Sequence, residues 1–201
     1  MTKGRSLRVD RIALGIGLSA LALVAGALGL QYLGGVAPCE MCHWQRWLHL
    51  AAALTGLVLI PLEKNLRLAA ITLAAICGLI AAYYLGMLAS WQPLLLAATI
   101  IALLAVGAWN PRLLALTALA LVLVSGLMGL YQTGMQYHLV PGPSACTGQR
   151  FVIGSNMIPV VQCDVPTWFL FGLALPAYNA IFSFLIAGLG GLALWKTKHA
   201  A

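Results

Sequence analysis

The chain has 201 residues, of which 62% are hydrophobic and only 7% charged. Soluble domains carry roughly 25% charged residues, so a soluble globular protein is excluded and the solvent is lipid. The net charge of +7 does not point to nucleic acid, because the basic residues fall in short clusters beside apolar runs, which is an orientation signal.

In chain order, the first apolar run spans about Ile12–Leu33 and follows Lys3, Arg5, Arg8 and Arg11. It is longer than the roughly 7–15-residue core of a signal peptide and lacks a small-residue cleavage site, so it reads as a membrane span. A short polar loop over 34–43 then carries a C-x-x-C, Cys39 and Cys42, in Ala37-Pro38-Cys39-Glu40-Met41-Cys42. Acylation of Cys39 as in a lipoprotein is opposed by the preceding Pro38. The second run is about Trp44–Leu62, and Pro38 suits the start of its helix. The third and fourth runs are about Leu68–Ala89 and Leu94–Trp109. The fourth has 16 residues, just under the roughly 17 a span needs, but Trp91 and Trp109 flank it as interfacial anchors. Cys77, in the middle of the third run, reads as a packing residue. The fifth run, about Leu113–Gly134, leads into a long loop over 135–167 that contains Pro141-Gly142-Pro143, Cys146 and Cys163. The sixth run is about Trp168–Trp195. Gly15, Gly17, Gly26 and Gly29, and Gly126 with Gly129, are expected to let helices approach closely.

Six spans place nine of the eleven basic residues on one side: the four at the N-terminus, Lys64, Arg67, Arg112, Lys196 and Lys198. Only Arg46 and Arg150 fall opposite. The positive-inside rule makes the crowded side cytoplasmic. Five spans would put the two cysteine pairs on opposite sides of the bilayer. The expectation is therefore an all-α integral membrane protein, a single membrane domain over 1–201 with six transmembrane helices and both termini cytoplasmic. Both cysteine loops then face the periplasm or its equivalent, where disulfides form.

Cys42 falls in or beside the first turn of the second span, where unpaired backbone N–H groups and the helix dipole stabilise a thiolate. Arg46 lies one turn further on, and His49 follows on the same face. Cys42, Arg46 and His49 thus form a stripe that enters the membrane. An arginine beside a C-x-x-C reads as functional rather than as a snorkelling anchor. His49 is open to a ligand or proton role and equally to packing. Glu40, between the cysteines, opposes thiolate formation. Three other readings compete. Cys39, Cys42 and His43 match the C-x-x-C-H pattern of covalent haem, although the short loop leaves no haem pocket and Cys146 and Cys163 stay unexplained. Structural zinc is weaker still, because only one pair has the short spacing of such sites. A small transporter or assembly subunit with structural cysteines is the non-enzymatic reading, opposed for a secondary transporter by the scarcity of ionisable groups within the spans. A disulfide closing the loop between Cys146 and Cys163 would contribute about 3 kcal/mol. Two redox-capable pairs on one membrane face favour thiol–disulfide exchange instead.

Three blocks of residues carry a family resemblance. They are Pro38-Cys39-x-x-Cys42-x-x-x-Arg46, Tyr131 with Pro141-Gly142-Pro143-Ser144-Ala145-Cys146, and Cys163-Asp164 with Trp168-Phe169-Leu170 and Leu175-Pro176-Ala177-Tyr178-Asn179. Together they resemble the disulfide bond formation protein B (DsbB) family. The resemblance implies a four-helix bundle, here with an inserted hairpin at 68–109. It implies a thiol oxidoreductase of the bacterial inner membrane that takes electrons from a DsbA-type thioredoxin-fold oxidase and gives them to ubiquinone or menaquinone, with no metal. The DsbA–DsbB–quinone relay is a known means of keeping a bacterial periplasm oxidising. By that likeness Cys146 engages the partner, Cys163 exchanges with Cys39, and Cys42 meets the quinone beside Arg46. Thr133 matches the position at which some members carry histidine.

Overall fold

The computed structural model describes residues 3–57, 110–143 and 161–199. Four helices dominate them: α1 Lys3–Tyr32, α2 Glu40–Leu57, α3 Pro111–Gln136 and α4 Leu175–His199. A small antiparallel hairpin precedes α4, with β1 Phe169–Leu170 paired to β2 Leu173–Ala174. Within the described residues, Arg8–Tyr32, Pro111–Gln136 and Leu175–Thr197 are long and apolar enough to cross a bilayer. A helix satisfies its own backbone, which is what lipid demands. The third and fourth apolar runs, with Cys77 and the proposed insertion at 68–109, lie outside the described residues, as does 144–160 with Cys146.

Local chemistry explains where the elements begin and end. Gly35, in the left-handed region at φ +67°, turns the chain after α1, and the Val36 N–H returns to the Leu30 carbonyl at 3.1 Å. Pro38 is not the first helical residue, as its type had suggested. It precedes Cys39, whose carbonyl accepts from His43 N–H at 3.2 Å and whose sulfur accepts from Cys42 N–H at 3.3 Å. Cys39 is therefore the N-cap of α2. Asn110 caps α3 by accepting from Leu113 N–H at 3.2 Å, with Pro111 in the first turn. At the other end of α3, His138 takes φ +56°, Leu139 N–H bonds Gly134 O at 2.8 Å and His138 N–H bonds Met135 O at 3.0 Å. This is the Schellman arrangement, with histidine where glycine is usual.

The last apolar run does not become helical at Trp168. Phe171 and Gly172, at φ +48° and +78°, make a two-residue hairpin turn, so α4 begins at Leu175. Apolarity continues through the hairpin and conceals the break.

Each of α1 and α3 packs against both α2 and α4, and against the other. The C-terminal ends of α1 and α3 meet the N-terminal ends of α2 and α4, so neighbours alternate in direction. At the far end a tight core of Val9, Ala13, Ile16, Ala52, Ala53, Leu114, Ala115 and Leu194 holds the four together. Alanine is the commonest residue of this core because helices in lipid associate by close backbone packing. A Cβ added to Gly17 would lie 3.0 Å from the Ala53 carbonyl oxygen and the Gly56 Cα, and one on Gly129 would lie 2.8 Å from the Pro176 carbonyl oxygen. Among the described residues, Gly15, Gly26 and Gly29 have no neighbour within 4 Å of such an atom. Large side chains such as Leu18, Leu127, Leu130, Leu185 and Leu189 are exposed on the outside of the bundle, where lipid tails solvate them.

Candidate functional site

The site lies at the end of the bundle where Cys39 caps α2. The Cys39 and Cys42 sulfurs stand 2.7 Å apart, both as free thiols, and Cys163 is disulfide-bonded. Cys39 is buried and packs in one cluster with Met41, Met135 and Cys163, with Cys42, Met128 and Val161 against it. The structure therefore brings three of the four expected redox cysteines together; Cys146 lies outside the described residues. His43 is exposed while both sulfurs turn inward. Covalent haem would need the two sulfurs and the imidazole on one open face.

Two sulfurs this close cannot both ionise readily. Cys39 holds its proton, its pKa raised by the hydrogen bond to Cys42 and by burial. Cys42, ahead of the apolar run that starts at Trp44, is lowered to about 6 by that hydrogen bond first, then by Gln132 and Arg46, against the opposing effect of burial. The direction of the Cys42 shift is the one expected from its place at the helix start. The cause differs, because neighbouring hydrogen bonds outrank the arginine.

Arg46 is directed to α1, donating to the Gln31 side-chain oxygen and, at 3.3 Å, to the Ala27 carbonyl. With Cys42 and His49 it lines a cavity of about 340 Å³ between α1, α2 and α4, walled also by Gly26, Leu30, Trp168, Tyr178 and Phe182. The stripe expected from helical spacing thus opens onto one space. His49 is buried, its Nε2 lies 2.8 Å from Asn179 Oδ1, and its Nδ1 is buried with no hydrogen-bond partner among the described residues.

Sequence reasoning missed the residues that connect these groups. Gln132 donates from Nε2 to Cys39 Sγ at 3.1 Å and reaches Cys42 Sγ at 3.7 Å. Thr133, which aligns with the family histidine, instead bonds its own helix at Gly129 O. Gln45 and Asn179 bridge Gln132 to His49, with Ser125 and Ser183 beside them. The available signal was polarity alone: amides and hydroxyls within apolar runs are expensive in lipid unless they do something. The loop side is fastened by Tyr131, Tyr137 and Tyr178, whose hydroxyls donate to the carbonyls of Pro141, Gly172 and Leu170, and by Gln136, which donates to the Cys163 carbonyl.

No curated protein and no solved structure gives a match to this chain. A family model described as Disulfide bond formation protein DsbB matches it over residues 9–95 and 90–193. That match takes in the capped cysteine pair, Arg46, Cys163 and all but the ends of the described bundle, and the chain accordingly belongs to the DsbB family of all-α membrane oxidoreductases of disulfide-bond formation.

Proposed function

We propose that this protein reoxidises a DsbA-type thiol oxidase outside the cytoplasm and passes the electrons to ubiquinone or menaquinone in the bacterial inner membrane. The observation that carries the reading is the shared cavity: the Cys42 sulfur, Arg46 and His49 line one largely apolar space of about 340 Å³. Pockets for small organic ligands start near 300 Å³ and join apolar walls to a few placed polar groups. The Arg46 guanidinium at the wall fits a carbonyl oxygen of a quinone head group, and the buried His49 Nδ1, an acceptor when Nε2 carries the proton, fits a hydroxyl of the reduced ring. A bound quinone supplies a two-electron, two-proton acceptor.

The chain's own residues do the remaining work. A partner dithiol attacks a Cys146–Cys163 disulfide, leaves as a disulfide, and reduces the loop pair to two thiols. Those thiols then reduce the oxidised Cys39–Cys42 bond by a second exchange, which re-forms the loop disulfide. Placement of Cys163 and Cys39 in one buried cluster supports this second exchange. The resulting Cys39–Cys42 pair, a Cys39 thiol and a Cys42 thiolate, gives up two electrons and its one proton through the cavity, and water supplies the second proton of the quinol. Arg46 holds the acceptor and helps keep Cys42 charged, while Cys39 keeps the proton of the pair.

The six-span topology belongs to the same proposal. The second helix runs away from the cysteine end and the third returns to it, so the segment from 58 to 109 crosses an even number of times. Its two apolar runs provide two crossings, the hairpin at 68–109, and the two matched segments of the family model meet at 90–95, inside it. Arg8, Arg11, Arg112 and Lys196 share the end opposite the cysteines, which supports a cytoplasmic assignment for both termini.

The test is quinone-dependent oxidation of a reduced thioredoxin-fold thiol oxidase by the purified protein, beside Cys42→Ser. Catalytic quinone loss that disappears in the variant is expected. No turnover with either quinone across several oxidases would overturn the proposal.

A further inference from the structure

The amides behind the thiols form a directed chain whose polarity is set by one backbone atom. Asn179 Nδ2 lies 3.1 Å from the Ser125 carbonyl oxygen. A backbone carbonyl only accepts, so the NH₂ of Asn179 must face it and Oδ1 must face the opposite way. Oδ1 there meets His49 Nε2 at 2.8 Å, which makes that nitrogen the donor. The same NH₂ donates to Gln45 Oε1 at 3.0 Å. Gln45 then presents Nε2 to Gln132 Oε1 at 2.8 Å, and Gln132 in turn presents Nε2 to the two sulfurs. Every step fixes the next, and the last group delivered to the thiols is an N–H. Were the chain reversed, a carbonyl oxygen would face them. Gln132, Gln45 and His49 are all at least 94% buried, so water does not compete for these bonds. Ser125 Oγ braces the chain from α3, 3.1 Å from His49 Nε2 and 3.3 Å from the Gln45 carbonyl oxygen.

We propose that Asn179 and Gln45 are positioning residues that hold Gln132 as an N–H donor on the Cys39–Cys42 sulfurs, so that the pair carries a negative charge inside the bundle. A carboxamide rotates by half a turn at little steric cost, so Gln132 alone would not guarantee which end meets sulfur. Asn179, pinned by the Ser125 carbonyl, removes that freedom through Gln45. A charged sulfur accepting N–H is stabilised, whereas a carbonyl oxygen in the same place would repel it. His49 stands at the far end of the chain, so the ring that lines the cavity and the thiols share one hydrogen-bonded line. The inference deepens the proposed function, and its test uses reduced protein without quinone, so the two fail separately.

The experiment is site-resolved alkylation of the reduced full-length protein in detergent across pH, with mass spectrometry reporting the rate at Cys42. Gln132→Met should raise the midpoint by about one pH unit, a tenfold loss of thiolate on the acid side. Gln132→Glu should raise it further, because a carboxylate then faces the sulfurs. Asn179→Leu and Gln45→Met, which touch neither sulfur, should shift it in the same direction. Asn179→Leu combined with Gln132→Met should add nothing to Gln132→Met alone. Midpoints unmoved in both Asn179→Leu and Gln45→Met, or additive shifts in the double variant, would overturn the proposal. If Asn179→Leu does not fold, Gln45→Met, with Gln45→Met/Gln132→Met as its double variant, decides by the same criteria. Among the described residues, the ionisable side chains beside the pair, Arg46, Glu40 and His43, and Asp164 next to Cys163 are unchanged throughout.

Discussion

Gln132 and Cys39 are 93 residues apart, yet the Gln132 amide nitrogen sits 3.1 Å from the Cys39 sulfur. That contact locks the end of the third helix onto the cap of the second. Without Gln132, the buried sulfur pair would keep only its own helix start and the field of Arg46 to stabilise a charge. With it, the charge has a donor that burial makes stronger.

The first consequence is a pH dependence. Cys42 is lowered to about 6 and Cys39 is raised above the ordinary thiol value. Thiolate is the nucleophile, so the alkylation rate at Cys42 should be flat above about pH 7 and fall roughly tenfold per pH unit below about 5. Cys39 should stay unreactive until far higher pH. Equal rates at the two cysteines across neutral pH would contradict the assignment of the charge.

Arg46 should separate binding from ionisation. Its guanidinium bonds Gln31 and Ala27 at the cavity wall, whereas its field is the smallest of the causes that lower Cys42. Arg46→Met should therefore raise the KM for quinone about tenfold or more, equivalent to about 1.4 kcal/mol or more of lost binding. The Cys42 alkylation midpoint should move less than in Gln132→Met. Arg46→Lys should recover little, because an ammonium cannot reproduce a planar fork. Steady-state kinetics at fixed thiol oxidase concentration supply the measurement.

The contrast between these residues shows what the sequence could carry. Cys39, Cys42, Arg46 and His49 belong to one helix and its cap, and helical spacing alone places the last three on one face. Gln132 and Asn179 reach the site from two other helices, so their role depends on how the bundle is assembled. Nothing local in Tyr131-Gln132-Thr133 says which of the two polar residues turns inward, and likeness to the family marked Thr133 only as the position where some members carry histidine. Likewise, Trp168–Ala174 is as apolar as a span. The turn at Phe171-Gly172 is written in backbone geometry that a hydrophobic run does not reveal. The membrane class and the helical fold were legible because lipid imposes length, polarity and charge asymmetry directly on the chain.

Two glycines of the first helix should answer opposite questions. Gly17 meets the Ala53 and Gly56 backbones, whereas Gly26 has no described residue within 4 Å of its missing Cβ and lines the cavity. Gly17→Leu should force the first two helices apart and cost about 1–3 kcal/mol, visible as a lower melting temperature in detergent. Gly26→Leu should leave melting unchanged or higher, since leucine favours a helix over glycine by roughly 0.8 kcal/mol. Its side chain should occupy the cavity and raise the KM for quinone about tenfold. A stable Gly26→Leu with unaltered quinone kinetics would place the acceptor elsewhere.

Sidedness provides the most direct test of the topology. In a background with the five native cysteines replaced by serine, single cysteines would be labelled in intact cells with a membrane-impermeant maleimide. Leu33→Cys, at a position 92% exposed near the cysteine loop, should react from outside. Arg8→Cys and Arg112→Cys should react only after permeabilisation, because the basic ends of the first and third helices share the opposite side. These three positions fix orientation, but a segment from 58 to 109 that never crosses would give the same pattern. Trp91→Cys separates the cases, since it stands between the two apolar runs. Labelling from outside means the segment crosses twice and the bundle has six spans. Protection until permeabilisation would leave four spans and place residues 58–109 wholly on the cytoplasmic side.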